Sequence, residues 1–288
     1  MTVDLVMWTK NGAGTLPKVL QRIGEVVPAT CVGQRLIVDD SSVDGTMDIA
    51  KRFGWNVVAN EGKGVSDGAN TALKNVESNL FCSFEQDLLL SQDWWTQIPK
   101  QITDSKVAVA CGMRFADRPR GLVALQKYVA RKYRGEPLSS WLRTRELSAF
   151  TFGKTLDNTI YRADVLRGIG GFPKLSVNAG VDSVLAYRIA EAGYDWNVDY
   201  NVQSVHLRRG LSDELSHQYW YGTQLNMIWN EIKTMGVPPP LSRLGVLQRF
   251  CLSPLTGLFI ALKTGEPSTS IIHPLLRWAY LRGLLEAD

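Results

Sequence analysis

The sequence predicts an α/β fold in which a mostly parallel sheet is flanked by helices, and two observations support this. Short apolar runs alternate with helical patterns over residues 3–112, as in chains that build parallel sheets. Two of these runs also end in acids, at Asp39-Asp40 and at Glu85-Gln86-Asp87. Ligands of open α/β sheets bind at the carboxyl ends of the strands, so these acids should face a binding crevice.

Each element of the first part of the chain has its own signal. Apolar residues recur at helical spacing from Leu16 to Val27, and an Asp-Gly turn precedes the helix that Gly54 closes. We predict strands at residues 3–8, 36–39, 56–59, 80–84 and 106–112. We predict helices at residues 16–27, 46–53, 65–76 and 91–102.

The later part of the chain follows a different pattern. Residues 118–145 are basic, aromatic and prone to form a helix, and residues 151–160 are predicted to be extended. Helices are predicted at residues 164–170, 182–192 and 212–233, with late strands at residues 195–198 and 202–207. After the proline-rich linker at residues 237–240, two or three short apolar-basic helices are expected.

Composition excludes several classes of protein. A net charge of +4 on 288 residues argues against a general nucleic-acid binder. No apolar run approaches the roughly 20 residues of a spanning helix, and no signal sequence is recognisable. The four cysteines have no C-x-x-C spacing, so we expect reduced, buried thiols in a cytosolic protein and neither a zinc nor a redox site.

The acids after the strands can do metal and nucleotide chemistry. In Glu85-Gln86-Asp87, one carboxylate could hold Mg²⁺ or Mn²⁺ on a diphosphate while the other holds a ribose or a metal-bound water. Asp39 and Asp40 repel each other unless a nucleobase N–H, a ribose hydroxyl or a metal compensates them. Both pairs could instead be ordinary turns or helix caps, and Asp44-Gly45-Thr46 is most simply a turn with an N-cap.

A dinucleotide site is disfavoured. Gly12-Ala13-Gly14 follows the first strand like half of a dinucleotide fingerprint, but the third glycine is missing, because position 17 is Pro17.

The order of the motifs resembles that of the family-2 glycosyltransferases, which have the GT-A fold, over about residues 3–230. The matching motifs are Thr9-Lys10-Asn11, Asp39-Asp40-Ser41-Ser42-x-Asp44-Gly45-Thr46, Asn60-x-Gly62-x-Gly64 with Asn70, Glu85-x-Asp87, Gly170-Gly171-Phe172, Asp182, His206 and Tyr219-x-Tyr221-Gly222. This chain departs from the family pattern in having Ala69 for an arginine, Val181 for a glutamate, and Glu85 for the first aspartate of the D-x-D motif.

The resemblance implies a GT-A-type Rossmann-like sheet with a C-terminal helical appendage, and an inverting transfer from a UDP- or GDP-sugar with Mg²⁺ or Mn²⁺. It implies donor contacts from Thr9, Asn11, Asp39, Asp40, Asp44, Gly64, Asn70, Glu85 and Gln86. It implies Asp87 and His206 as metal ligands and Asp182 as the general base. On the residues alone, Asp182 is more simply a helix N-cap, a role that does not exclude a base, and His206 could equally be a core histidine.

The resemblance also divides the chain by function. Residues 1–115 would bind the nucleotide-sugar, residues 116–236 would bind a glycan or lipid-linked acceptor in the same domain, and residues 237–288 would form the helical tail. Residues 118–145 and the tail are predicted to face an anionic membrane surface, although a solvated helix face remains open for the former. The expected location is cytoplasmic, with peripheral binding to the inner face of the membrane as a further expectation.

Two other functions remain open. A sugar nucleotidyltransferase would need a Gly-rich phosphate loop bearing Arg or Lys after the first strand, and residues 11–14 with only Lys10 and Lys18 fit this poorly. A non-catalytic binding protein of the same fold is kept open by Ala69 and Val181, since site residues rather than fold decide activity.

Overall fold

The structure of the protein, a computed structural model, describes residues 1–133, 150–175, 179–207, 210–237 and 239–287. The strands are β1 (Val3–Thr9), β2 (Val32–Asp39), β3 (Asn56–Ala59), β4 (Leu80–Phe84), β5 (Leu88–Leu89), β6 (Val107–Ala116), β7 (Thr159–Arg162) and β8 (Asp195–His206). The helices are α1 (Leu16–Val26), α2 (Thr46–Arg52), α3 (Gly64–Asn75), α4 (Trp94–Gln101), α5 (Arg120–Tyr133), α6 (Ala163–Gly168), α7 (Val181–Glu191), α8 (Leu211–Ile232), α9 (Arg243–Thr264) and α10 (Thr269–Glu286).

The strands form one sheet in the order β3-β2-β1-β4-β7-β6-β8-β5. The first four strands are parallel, with Thr9 opposite Asp39 and Asp39 opposite Ala59. Their carboxyl ends therefore meet at one edge of the sheet, as the predicted α/β fold requires. The pairs β4–β7, β6–β7 and β5–β8 are antiparallel.

Two compact units divide the described residues. The first comprises Met1–Arg114 and Gly153–Leu207, and the second comprises Phe115–Phe152 and Arg208–Asp288. The core of the first unit includes the apolar face of α1, where Leu16, Val19 and Ile23 are buried at helical spacing. The two units are defined by how densely the chain packs within each of them, not by function. The division into donor-binding and acceptor-binding halves therefore stays a prediction.

The structure corrects several boundaries. Within the extended segment predicted at residues 151–160, the only strand begins at Thr159, and β6 extends beyond the predicted residue 112 to Ala116. The two predicted late strands are one strand, β8, whose middle is polar, including Asp199 and Asn201, and so lacks the apolar run by which a strand is recognised. The short strand β5 was not predicted, because two residues are too few to show a period.

The tail differs most from its prediction. It contains two long helices, α9 with 22 residues and α10 with 18, because Pro254 and Pro274 lie inside helices that continue through them. By length and composition alone, α9 is long and apolar enough to cross a membrane, which corrects the expectation that no such segment exists. In the basic segment, α5 accounts for residues 120–133, and residues 134–145 lie outside the described residues.

The cysteine prediction is correct in part. All four cysteines are free; Cys82 and Cys111 are buried as expected, but Cys31 is partly exposed and Cys251 is exposed. The exposed Cys251 lies on α9, whose outer face was not recognised from the sequence.

In the second unit, α8 and α10 approach each other through their backbones. A Cβ atom at Gly222 would overlap the carbonyl oxygen of Tyr280, and one at Gly283 would overlap the carbonyl oxygen of Tyr219. Glycine is therefore required at this helix crossing for close approach, not for an unusual backbone angle.

Asp4 joins the amino-terminal half of β1 to the end of α3. Its buried carboxylate accepts hydrogen bonds from Gln34 Nε2 at 2.8 Å, from the Glu77 N–H at 2.7 Å and from the N–H and Oγ of Ser78 at 3.0 and 2.7 Å. Burial raises the pKa of Asp4, but these hydrogen bonds outweigh burial and the pKa is lowered.

Asp4→Asn should therefore lower the free energy of unfolding by about 1.5–3 kcal/mol at pH 7, the range for hydrogen bonds to a charged group. Because the folded pKa is depressed, the contribution is present above the unfolded pKa of about 3.9 and is lost as the pH falls through the folded value. Urea unfolding at pH 7 and pH 3 should show the difference shrinking at low pH. The exposed control Asp48→Asn should change stability by less than about 1 kcal/mol, because Asp48 meets only the dipole at the start of α2. An equal loss for Asp4→Asn at both pH values would contradict this assignment.

Candidate active site

Asp39 lies at the carboxyl end of β2 and is 6% exposed. Its Oδ2 accepts a hydrogen bond from the Ser42 N–H at 2.9 Å, whereas its buried Oδ1 has no hydrogen-bond partner among the described residues. A buried carboxylate oxygen without a partner is costly, so this atom suits a ligand that donates an N–H or O–H.

Asp40 is held beside Asp39 by three donors. Lys10 Nζ and the Gly64 N–H donate to its Oδ2 at 3.4 and 3.3 Å, and Asn60 Nδ2 donates to its Oδ1 at 3.3 Å. Gly64 has a φ of 72°, in the left-handed region, which lets its N–H point back toward the strand ends. The loop before α3 thus supplies hydrogen-bond donors that offset part of the repulsion between the adjacent carboxylates of Asp39 and Asp40.

Two other predicted donor residues tie the loops together. Asn11 Oδ1 accepts the Val43 N–H at 2.9 Å. Asp44 Oδ2 accepts the Ala13 N–H at 3.1 Å, and its Oδ1 accepts the N–H of Thr46 at 3.0 Å and also its hydroxyl. The bond from the Thr46 side chain is the largest cause of the lowered pKa of Asp44. These contacts favour a role in shaping the loop, and direct contact with a donor remains a prediction.

The Gln86 side chain forms hydrogen bonds to the carboxyl end of β1 and to the residue that follows it. Its Oε1 accepts the Thr9 hydroxyl and the Lys10 N–H, the latter at 3.1 Å, and its Nε2 donates to the Lys10 carbonyl at 3.1 Å. Asn70 is engaged in a similar way, because its amide exchanges hydrogen bonds of 2.9 Å with the N–H and carbonyl of Phe172. Its amide therefore fastens the predicted Gly170-Gly171-Phe172 turn to α3.

Glu85, Asp87 and His206 converge at the end of the sheet. Their candidate ligand atoms all lie within 4.8 Å of one another, with His206 Nε2 3.0 Å from Asp87 Oδ2 and 3.6 Å from Glu85 Oε2. The strand β5 creates this arrangement, because it pairs Leu88 with His206, and the Leu207 N–H donates to the Asp87 carbonyl at 2.7 Å. Two carboxylates and one imidazole fit a divalent cation that keeps positions for water and phosphate.

Arg114 balances the negative charge beside this cluster. Its Nη1 lies 2.6 Å from Asp157 Oδ2 and 3.3 Å from Glu85 Oε2, and the Asp157 side chain is fully buried. Burial alone would raise the pKa of Asp157, but the Arg114 guanidinium outweighs it, and the pKa is lowered. Arg114 therefore links a buried acid to one of the candidate metal ligands.

Asp182 lies in the first turn of α7, after Gly180, whose φ is 77°. Its Oδ1 accepts the Ser183 N–H at 2.7 Å. Burial raises the pKa of Asp182, and the attraction of Arg114 opposes that rise only in part. A carboxylate with a raised pKa is a stronger base than an ordinary aspartate, as deprotonation of an acceptor hydroxyl needs.

Sequence reasoning missed Arg114 and Asp157. The signal for Arg114 was available, since a charged residue follows the apolar run at residues 107–113. A charge inside a buried strand needs a partner, and the sequence alone did not reveal which acid that would be.

Known proteins resemble this chain in sequence and in structure. A family model described as glycosyl transferase family 2 matches residues 4–169. Glycosyltransferase AglE of Haloferax volcanii is 22% identical over 233 residues, which cover 79% of this chain and 74% of that protein.

Two solved structures share the fold. The mannosyltransferase PcManGT from Pyrobaculum calidifontis, in complex with GDP-Man and Mn²⁺, matches with a TM-score of 0.64 and 18% identity over 99% of this chain and 88% of its own. Glucosyl-3-phosphoglycerate synthase from Mycobacterium tuberculosis, in complex with Mn²⁺, UDP and glucosyl-3-phosphoglycerate, matches with a TM-score of 0.57 and 15% identity over 83% and 81% of the two chains. At such identities the likeness shows the fold, which is the predicted GT-A type.

Arg114→Met should lower the free energy of unfolding by about 3–5 kcal/mol, because it leaves the buried Asp157 carboxylate without its cation. The double variant Arg114→Met/Asp157→Leu should recover much of the loss, since an apolar pair can replace a buried ion pair. Urea unfolding at pH 7 checks both. The exposed pair of Lys74 and Glu61 provides the control, because Lys74→Met should cost less than about 1 kcal/mol. A loss for Arg114→Met no larger than this control would refute the role of the ion pair.

Proposed function

This chain belongs to glycosyl transferase family 2, and from that premise we propose that it is an inverting, metal-dependent enzyme. It transfers a sugar from a nucleotide-diphospho-sugar to an acceptor hydroxyl or a lipid phosphate. The observation that carries the proposal is the convergence of Glu85, Asp87 and His206 at the sheet edge where β1 to β4 end. That edge supplies a cation site beside strand-end acids suited to a nucleotide.

The nucleotide binds over the ends of β1 and β2. The unpartnered Oδ1 of Asp39 accepts an N–H of the base or a ribose hydroxyl, and Asp40 stands beside it. Thr9, Gln86 and Asn11 hold the surrounding loops in the shape that receives it. The structural relatives carry GDP-Man or UDP, so we keep both UDP- and GDP-sugars as candidate donors.

The diphosphate lies against Glu85, Asp87 and His206. The residues would hold Mg²⁺ or Mn²⁺, which would neutralise the negative charge that develops on the leaving diphosphate. The imidazole of His206 favours Mn²⁺ over Mg²⁺, because Mg²⁺ prefers oxygen ligands. Arg114 forms an ion pair with Glu85, which holds that carboxylate in position and offsets part of the negative charge of the site.

Asp182 removes the proton from the acceptor hydroxyl as that oxygen attacks the anomeric carbon. Its raised pKa brings it closer to the pH of the reaction, and its place at the start of α7 fixes its orientation through Ser183. The acceptor is a glycan or a lipid-linked molecule, bound by the predicted acceptor half at residues 116–236. The four free thiols support a reducing, cytoplasmic location.

Asp87→Asn should keep the fold and weaken Mn²⁺-dependent binding of UDP or GDP at least about tenfold, because a neutral amide is a poorer ligand than a carboxylate. Calorimetry with and without EDTA checks this, and chelation should make the wild type resemble the variant. The exposed control Asp48→Asn should bind as the wild type does. Unchanged Mn²⁺-dependent affinity in Asp87→Asn would remove Asp87 from the metal site.

Asp182→Asn should lower kcat by about 10²- to 10⁴-fold while donor binding persists. In the wild type, activity should rise with pH through the raised pKa of Asp182, because only the carboxylate form accepts the proton. This rise in the pH–rate profile should lie above the ordinary aspartate pKa of about 3.9. The Asp182→Asn variant should lack this rise of activity with pH. Rates measured from pH 4 to pH 8 decide the matter, and near-normal turnover by the variant would exclude Asp182 as the base. Failure of the wild type to hydrolyse or transfer any donor would instead favour a non-catalytic binding protein.

A further inference from the structure

The helix α9 exposes apolar side chains where a helix of a water-soluble protein exposes polar ones. Seven large apolar residues on it are between 50% and 77% exposed, and the exposed Cys251 lies among them. We define the outer stripe as Leu244, Leu247, Cys251, Leu252, Leu255, Leu258, Phe259 and Leu262. Contiguous exposed apolar surface of this kind marks an interaction site.

The residues of the outer stripe fall on one side of the helix. Steps of three, four and seven residues connect Leu244, Leu247, Cys251, Leu255 and Leu262, which is the spacing of a single helical face. The buried residues lie on the opposite side, and several of them are small: Val246, Ser253, Gly257, Ile260 and Ala261. The outward face of α9 is therefore more apolar than the face that packs on the protein.

The charged residues on α9 itself are all positive. Arg243, Arg249 and Lys263 are exposed on α9, and this helix contains no Asp or Glu. Lys263 extends over the ring of Phe259, with its Nζ 5.6 Å from the ring centre, so the cation lies at the edge of the stripe. An apolar surface with cationic flanks complements a surface that is apolar inside and anionic outside.

We propose that α9 lies in the plane of an anionic lipid bilayer, with the outer stripe at the boundary between headgroups and acyl chains. An in-plane helix buries its apolar face about 5–10 Å into this boundary while its cations meet the headgroups. This inference is independent of the proposed function, since lipid binding requires neither donor nor catalysis.

The packing of α9 on α10 argues for an in-plane helix over a spanning one. Gly257 approaches the carbonyl of Ser270 closely enough that a Cβ atom would lie 2.9 Å from it. Trp278 Nε1 donates to the Phe250 carbonyl at 3.0 Å, and the two rings stack with centres 5.0 Å apart. If α9 crossed the bilayer without α10, it would lose these contacts, whereas an in-plane α9 keeps them; α9 alone of the described helices is long and apolar enough to cross.

A second copy of the chain is a poorer occupant. A symmetric pairing of two outer stripes would bring the same cations, those of Arg243, Arg249 and Lys263, toward one another, with no acid on either helix to offset them. Anionic headgroups satisfy both the apolar and the charged parts of the surface.

Flotation of the full chain with vesicles tests the proposal. Binding to phosphatidylcholine vesicles containing 30% phosphatidylglycerol should exceed binding to pure phosphatidylcholine, and 0.5 M NaCl should weaken it. Arg249→Gln and Lys263→Gln should each reduce the partition coefficient about fivefold. The matched charge control Lys51→Gln, exposed on α2, should leave binding unchanged.

Variants of the outer stripe test the apolar part. Leu255→Glu and Leu262→Glu, at side chains 66% and 77% exposed, should each reduce binding at least about tenfold without lowering the melting temperature in solution. Phe53→Glu, at an exposed aromatic residue 40% exposed on the first unit, is the apolar control and should bind normally.

Labels at the two accessible cysteines measure depth. A fluorophore on Cys251, in a Cys31→Ser background, should be quenched more strongly by lipids with a spin label near the headgroup than by lipids labelled near the chain end. The same fluorophore on Cys31, in a Cys251→Ser background, should be quenched by neither. Absence of binding to anionic vesicles at low salt would overturn the proposal. So would deeper quenching at Cys251, which indicates a spanning helix, or lipid-free dimers abolished by Leu255→Glu, which indicate a second copy.

Discussion

The candidate site depends on the ion pairs that the guanidinium of Arg114 forms with neighbouring acids. It lies against Glu85 and the fully buried Asp157, and it also attracts the carboxylate of Asp182. Without a buried cation, the acids at this end of the sheet would raise each other's pKa values, and some would be protonated. One arginine thus keeps Asp157 ionised and restrains Asp182 only in part, so that neighbouring carboxyl groups differ in basicity. Asp157 and the proposed base Asp182 can then differ in protonation although the same arginine acts on both.

The part of the fold predicted from the sequence is the part governed by local pattern. Helix α1 and the parallel strands show their periods over consecutive residues, and the acids at Asp39 and Asp87 follow strands that end where expected. The metal cluster depends instead on β5, which is two residues long and pairs with a strand far along the chain. Periodicity cannot place His206 beside Asp87; the resemblance to a known family suggested both as ligands, and long-range pairing brings them together.

The helices of the second unit were harder to predict from the sequence than the elements of the first. Its tail was expected to be several short helices because prolines and arginines interrupt the apolar runs, but Pro254 lies within a continuous helix. Composition did indicate an apolar-basic tail, yet only the structure separates the outer stripe of α9 from the small residues on its inner face. Sequence alone cannot assign the two faces, because both contain apolar residues, and burial against α10 decides which face is which.

The backbone contact between α8 and α10 restricts which residues the second unit can accept. Gly222 and Gly283 tolerate no side chain, because each abuts a carbonyl of the other helix. The proposed membrane contact of the outer stripe of α9, by contrast, requires only apolar character, so Leu, Ile, Phe and Met would all serve there. Recognisable similarity to the family model ends at residue 169, within the first unit. Beyond it, the crossing of α8 and α10 holds two positions, about sixty residues apart, where any side chain would force the two helices apart.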